Sequence, residues 1–364
     1  MLTAPRLAFA RAATNRRLLF VIQRGAADGL STVAPIGDPA FTPLRGVLAA
    51  DFSRAQKLDA TFALHPALAE TGKLYAAKQA LFLHAVASPY RDRSHFDGQN
   101  VLETGGAQAY ALKDGWMNRL LGLLPPEESR ALAVAVTVPT ALRGTHPVAS
   151  YAASNLPQAS DDLLQRVGML YSADPQLHPL WQEALQTRAM AGDAGSGPGA
   201  AATGTLAASL MAGPQGARVA MIETGGWDTH TGQRGRLAVQ LKGLDAMLAA
   251  FRTGMGAEWA DTLVVVATEF GRTAAINGTG GTDHGTAAAA MLLGGTVAGG
   301  RMVTDWPGLA PPQLYENRDL RPTRSLDAAI AGAVAAHFGL DPARTMRTLF
   351  PGDNAKPAEG LIVS

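Results

Sequence analysis

Two short apolar runs, Ala217-Arg-Val-Ala-Met-Ile-Glu223 and Thr262-Leu-Val-Val-Val-Ala-Thr268, bracket one amphipathic stretch, and that order restricts the fold more than anything else in the chain. An apolar run without polar alternation suits a strand buried on both faces, as in a parallel sheet. Between the runs, Leu237, Leu241, Leu244, Leu248 and Phe251 recur at spacings of three and four, with Arg236, Lys242 and Arg252 off the stripe. This is the pattern of a helix with one buried face. Strand, helix, strand makes a βαβ unit, whose crossover is expected to be right-handed. The fold class expected is therefore α/β.

Three further runs read as strands: Arg17–Gln23, Leu81–Val86 after a helical stretch from Pro66 to Lys78, and Leu132–Val136. Ala287–Leu293 reads as another strand, and Ser325–His337 as a late helix. With 364 residues, 47% apolar and 17% charged, the chain has the material for a large core and is not globally disordered. The formal net charge is +1 and no Lys/Arg run tracks phosphates, so nucleic acid is not an expected partner. The absence of cysteine excludes disulfides, thiolate zinc sites and cysteine nucleophiles. No stretch approaches the roughly 18 apolar residues of a membrane span.

Pro5-Arg-Leu-Ala-Phe-Ala10 resembles the tail of an export signal, with small residues at Ala8 and Ala10. Residues 1–16 are accordingly expected to be a signal remnant or a disordered N-terminus, 17–353 one domain, and 354–364 a C-terminal tail. Ala191–Ala200, rich in glycine, reads as a surface loop.

The polar residues that stand out follow the apolar runs and sit among glycines. Asp28 is either a turn or helix-capping aspartate or a functional one, with Gly25 and Gly29 allowing close backbone approach. Asp228 and His230, two apart in an extended segment, point to one side and could reach one cation. Glu269 ends a buried run and needs a partner or a cation. Arg272 is either that partner or a planar clamp for a phosphate or sulfate oxygen. Asp283 and His284 lie in a loop too glycine-rich for helix or strand, and coordination by His284 would offset the entropy of ordering it. Ser94 reads equally as a helix N-cap and as a nucleophile, and His95 as a ligand or an outer donor. His84, His178 and His337 read as structural, His65 and His146 as turn residues before proline.

Taken in order, Arg24-Gly-Ala-Ala-Asp28-Gly-Leu30, Ser94-His-Phe96, Gly225-Gly-Trp-Asp-Thr-His230, Glu269-Phe-Gly-Arg-Thr273 and Gly280-Gly-Thr-Asp-His-Gly285 resemble the bacterial domain-of-unknown-function 1501 family over about Arg17–Gly352. That family is placed with the alkaline phosphatase and sulfatase superfamily. The resemblance implies a three-layer fold with a mostly parallel central sheet between helices, and a two-metal site at the strand carboxyl ends. By the same analogy Ser94 is the nucleophile, Asp28 and Glu269 (with Asp283) hold one cation, and Asp228, His230 and His284 hold the other. The implied activity is an exported, metal-dependent hydrolase of phosphate or sulfate esters, with Zn, Mg, Mn or Ca as cofactor and a small or polymeric anionic ester as substrate. Export by a twin-arginine signal into the periplasm or medium is implied as well. The alternative is a non-catalytic exported protein that keeps the fold to bind a ligand or partner. Two departures are visible: Glu269-Phe270 stands where alkaline phosphatases carry Asp-His, and no sulfatase Cys/Ser-x-Pro-x-Arg motif occurs.

Overall fold

The computed structural model describes residues 15–126, 129–152, 159, 161–192 and 199–363. Among the described residues twelve strands occur in chain order: β1 (Arg17–Gln23), β2 (Val33–Ala34), β3 (Gln56–Lys57), β4 (Ala63–Leu64), β5 (Ala80–Ala87), β6 (Ala131–Val134), β7 (Ala149–Ser150), β8 (Val219–Thr224), β9 (Thr262–Ala267), β10 (Ala288–Leu293), β11 (Arg301–Val303) and β12 (Arg324–Ser325). Nine form one sheet in the order β11-β5-β10-β9-β1-β8-β6-β7, with β12 also on β5. β1 lies parallel between β8 and β9, so the βαβ unit expected from the sequence straddles it. β10 alone runs against its neighbours, antiparallel to both β9 and β5. β2, β4 and β3 make a separate three-stranded sheet.

Alternate residues of each central strand feed opposite faces. Leu18, Phe20 and Ile22 join Leu263 and Val265 in one core, while Leu19 and Val21 join Val264 and Val266 in the other. The first core is closed by the helices His95–Thr104, Trp116–Leu121, Leu326–Phe338 and Pro342–Leu349. The second is closed by Ala69–Ala76, Ala200–Met211 and Gln233–Met255. Helices on both faces of a mostly parallel sheet make three layers. Each fully buried Val, Leu, Ile or Phe contributes about 1.5–3 kcal/mol, so loss of polar alternation along β1 and β9 is the energetic signature of this double burial.

Residues 354–363, separated from the domain as a tail by sequence, pack onto it. Leu361 and Ile362 are buried, and Val363 donates its N–H to the Thr296 carbonyl at 2.8 Å. The export-signal pattern at residues 5–10 and the centre of the glycine-rich loop, residues 193–198, lie outside the described residues. Among the described residues no helix is long and apolar enough to cross a membrane.

Candidate metal centre

Chemistry-bearing segments begin where parallel strands end. Asp28 follows β1, Ser94 and His95 follow β5, Asp228 and His230 follow β8, and Glu269 and Arg272 follow β9. Because β10 runs the other way, the loop that enters it, carrying Asp283 and His284, arrives at the same rim. This is the edge where open α/β sheets place ligands.

Glycines let these loops touch. A Cβ on Gly25, whose φ is +118°, would sit 2.6 Å from the Asp228 nitrogen, and one on Gly281 would sit 2.2 Å from the His230 carbonyl oxygen. The loop before β10 is fixed by backbone pairing. Gly271 donates to the Thr286 carbonyl at 2.9 Å, Gly285 to that of Gly271 at 2.8 Å, and Thr273 to that of Asp283 at 2.9 Å. Asn277 donates its side-chain amide N–H to the His230 carbonyl at 2.9 Å.

Three imidazoles and one carboxylate converge. His95, Asp228 and His284 each place a ligand atom within 4.8 Å of the others. The Nε2 of His230 lies 2.9 Å from Asp228 Oδ1 and 3.0 Å from His284 Nε2. The Nε2 atoms of His95 and His284 are each 3.4 Å from an Asp228 oxygen. Every ring has given its Nδ1 to an acceptor: His95 to Glu269 Oε1 at 2.8 Å, His230 to Asp283 Oδ1 at 2.9 Å, and His284 to the Arg93 carbonyl at 2.9 Å. A neutral ring donating through Nδ1 carries a bare lone pair on Nε2.

The sequence expectations redistribute accordingly. Asp283 takes the place of an outer carboxylate on His230 instead of a ligand atom in the cluster, and Asn277 shares its Oδ1 at 3.1 Å. Glu269 does the same for His95. Its Oε1 also accepts the Gly25 N–H at 2.8 Å and the Gln99 amide at 3.0 Å, and its Oε2 lies 2.9 Å from the Thr268 hydroxyl, whose one proton it shares with the Gln23 carbonyl at 2.7 Å. Asp28 is placed apart from the cluster. One oxygen caps the helix Gly29–Thr32 through Leu30 and Ser31 N–H, and the other takes Arg45 and Gln233. Arg272, expected beside Glu269 or on a substrate oxygen, instead spends Nη1 on Asp228 at 2.6 Å and its remaining nitrogens on Thr282. Ser94 precedes the helix His95–Thr104 and makes no side-chain capping bond to it. Trp227 is core, its indole bonded to Thr224 at 3.0 Å. His84 and His337 are buried and satisfied, as read from sequence.

Several contributors carried no motif. Gln99 bridges Glu269 and Arg24, and its position one helical turn after His95 is the signal that could have found it. Gln233 joins Asp28 to Thr229 and Thr282, linking the caps of three loops. Phe270 stacks on His95 with ring centroids 5.1 Å apart and lies 5.4 Å from His284.

Burial rises from the cluster outward into the protein. The side chains of Glu269 and Arg272 are 0% exposed, while Asp228 and His230 are 42% and 41% exposed, so the convergent atoms face a solvent-accessible cup. Burial opposes ionisation of Glu269, but hydrogen bonds from His95 and Gln99 outweigh it and hold the carboxyl below its ordinary value. Burial likewise opposes the Asp228 charge, and the Arg272 guanidinium overcomes it. His230 lowers the Asp283 carboxyl through its hydrogen bond. Burial, then the neighbouring His95, lowers His284.

The residues fit a cation. His95 Nε2 is buried and has no hydrogen-bond partner. The Nε2 atoms of His230 and His284 lie 3.0 Å apart, close enough for one cation to take both when the two rings are neutral.

Several solved structures are distantly similar to the chain. The C-terminal periplasmic domain of EcEptC from Escherichia coli, solved in complex with Zn, is similar at 8% identity and TM-score 0.40, over 78% of this chain and 73% of that one. Alkaline phosphatase from the Antarctic bacterium TAB5 is similar at 11% identity and TM-score 0.39, over 93% and 99%. Phosphonate monoester hydrolase of Agrobacterium radiobacter follows at 12% identity and TM-score 0.30, over 79% and 70%. No curated protein matches the chain. Residues 15–350, nearly the whole chain, match one family along their length, and the chain therefore belongs to the family described as Protein of unknown function (DUF1501).

Proposed function

We propose that this chain is an exported, metal-dependent hydrolase of phosphate or sulfate esters. The observation that carries the reading is the meeting of three imidazole Nε2 atoms with Asp228 in an open cup on the carboxyl rim of the sheet. Such a donor set is built for a divalent cation. The ester class comes from the motif resemblance to phosphatases and sulfatases, and export from the small-residue pattern at Ala8 and Ala10.

Asp228, His230 and His284 would hold the cation, with His95 beside them. When bound, a divalent cation polarises an ester oxygen and offsets charge developing on it. The protein's own part is orientation. Ser94 offers a hydroxyl that does not cap its helix and stands next to His95, the place for a nucleophile attacking phosphorus or sulfur. Arg272 keeps the Asp228 carboxylate ionised and fixed, acting through Asp228 and not on the ester. Glu269 and Asp283 hold the rings of His95 and His230 in place.

The test is turnover of aryl phosphates and aryl sulfates by metal-reconstituted protein. Activity that Ser94→Ala lowers by about 100-fold or more supports the reading. No turnover above the Ser94→Ala background with any of Zn, Mn, Mg or Ca overturns it in favour of a binding protein.

A further inference from the structure

The superfamily analogy leads to two cations held largely by carboxylates, and the geometry points elsewhere. We propose that the rim holds a single cation of the zinc class, bound by His95, His230, His284 and Asp228, with Glu269, Asp283 and the Arg93 carbonyl fixing the three rings. The inference rests on the cation site of the proposed function but makes its own claim about how many ions bind, which ions, and through which helix.

The number of ions follows from where the carboxylates are. A second site needs Asp28 and Glu269 free, and both are committed. Asp28 is saturated by Arg45, Gln233 and two helix N–H groups, and Glu269 by Gly25, Gln99, His95 and Thr268. Phe270, following Glu269, puts an aromatic face against His95 and His284 where a ligand would be needed. Among the described residues the group of convergent ligand atoms is His95, Asp228 and His284, and His230 adjoins it at Asp228 Oδ1 and His284 Nε2.

The kind of ion follows from donor chemistry and spacing. Three nitrogens and one oxygen suit zinc and its late first-row neighbours, whereas Mg and Ca take oxygen donors in larger number. Ligand atoms of a tetrahedral zinc with bonds near 2.0–2.1 Å are separated by about 3.3 Å. His230 Nε2, His284 Nε2 and Asp228 Oδ1 are separated from one another by 2.9, 3.0 and 3.4 Å, and His95 Nε2 lies 3.4 Å from the other Asp228 oxygen, Oδ2.

The place of His95 follows from its support. Its Nδ1 is bound by a carboxylate that is itself buried and bonded on both oxygens, and its Nε2 is a buried atom with no partner. Carboxylate–imidazole–metal arrangements fix the tautomer and raise the basicity of the bound nitrogen. The helix that by analogy presents only a nucleophile thus also delivers a ligand, one residue after Ser94.

The experiment is metal titration of the full chain after chelator treatment, by calorimetry and by elemental analysis, with Zn, Co, Mg and Ca as probes. The expected result is one Zn or Co per chain, bound at least about 100-fold more tightly than Mg or Ca. Bound Co should give the intense visible bands of a low-coordinate site. Glu269→Gln, nearly isosteric, should weaken Zn binding about 10–100-fold, and His95→Ala should weaken it at least as much. Imidazole nitrogen NMR of the metal-free protein should show Nδ1-protonated rings whose Nε2 signals move on adding Zn. Two ions per chain, a preference for Mg or Ca, or unchanged Zn affinity in a folded His95→Ala protein each overturns the inference. Tight single-site Zn binding without ester turnover would sustain it while removing the hydrolase reading.

Discussion

Gly25 is the residue where the site depends most directly on a missing side chain. Its N–H is spent on Glu269, its φ is +118°, and any Cβ would lie 2.6 Å from the Asp228 backbone nitrogen. Backbone cannot yield as a flexible side-chain tip can. Gly25→Ala should therefore push the Asp228 loop off β1 and cost about 1–3 kcal/mol of stability. Zn affinity should fall with it, by at least about tenfold, because Asp228 touches all three rings. Thermal melts and metal titration of the same preparation check both; unchanged metal affinity would show that the loops are not coupled there. Gly235 is the control. It is exposed near the start of the helix Gln233–Met255, and nothing lies within 4 Å of its Cβ position. Gly235→Ala should raise stability by about 0.5–1 kcal/mol, read from the urea midpoint, and leave metal binding alone. At this scale most of the residues that the sequence singled out do gather, Asp28 excepted, but the sequence did not show what each does. Asp228 and His230 could be paired from their spacing of two. Nothing local separates a proposed ligand such as His284 from a proposed support such as Glu269, because Glu269 finds His95 across 174 positions of chain.

The elements legible in sequence are those whose burial is uniform. β1, β5, β9 and β10 are buried along their length because both faces are covered, as is β8 up to Ile222, and the helix Gln233–Met255 shows its stripe because only one face is. β7, β11 and β12 span two or three residues, and pairing with β6 or β5 makes them strands, so no local pattern announces them. The antiparallel sense of β10 is invisible for the same reason: an apolar run reads identically in both directions. It is nevertheless what brings Asp283 and His284 to the rim. The helix Leu326–Phe338 was legible, but its first turn hides an unusual group. Asp327 is 1% exposed, both its oxygens lack a hydrogen-bond partner, and burial, then nearby Asp353, raises its carboxyl well above the ordinary value. Folding therefore favours the protonated form, so its contribution is greatest in acid and is lost as pH rises past the unfolded value toward the raised one. Asp327→Asn keeps the shape and removes the charge. It should stabilise the protein by about 1–3 kcal/mol at pH 7–8 and lose that advantage toward pH 4, as followed by urea unfolding across pH. A destabilised Asp327→Asn protein at pH 8 would mean that Arg91 already compensates the carboxylate.

At the scale of the molecule, two buried histidines tie layers together in their neutral form. His84, inside β5, donates Nε2–H to the Val33 carbonyl of the small sheet at 3.0 Å and accepts the Ala85 N–H on Nδ1 at 2.9 Å. His337, in the helix Leu326–Phe338, is bonded to the Arg17 carbonyl of β1 at 3.0 Å and to the Thr296 hydroxyl at 3.0 Å. In His84 a proton added to Nδ1 would meet an N–H that has no other acceptor to offer. Burial pushes His84 down to about 4 and His337 to about 3, against about 6.5 in the unfolded chain. Their stabilisation is complete above pH 6.5 and drains away as pH falls, because the unfolded chain takes up the protons first. Two such groups add a slope of about 2.7 kcal/mol per pH unit between roughly pH 6 and pH 4. The site carboxylates held below their ordinary values act later, under pH 4, and Asp327 acts in the opposite sense. Metal loss would also weaken the fold in acid, so the measurement belongs on chelated protein, where the cation cannot contribute. Under those conditions unfolding free energy should decline steeply from pH 6.5 to pH 4.5. His84→Gln, less stable at pH 7, should decline less steeply by about 1.4 kcal/mol per pH unit, because one linked proton is gone. Equal slopes for His84→Gln and the parent would place the acid sensitivity of this fold elsewhere than in its buried imidazoles.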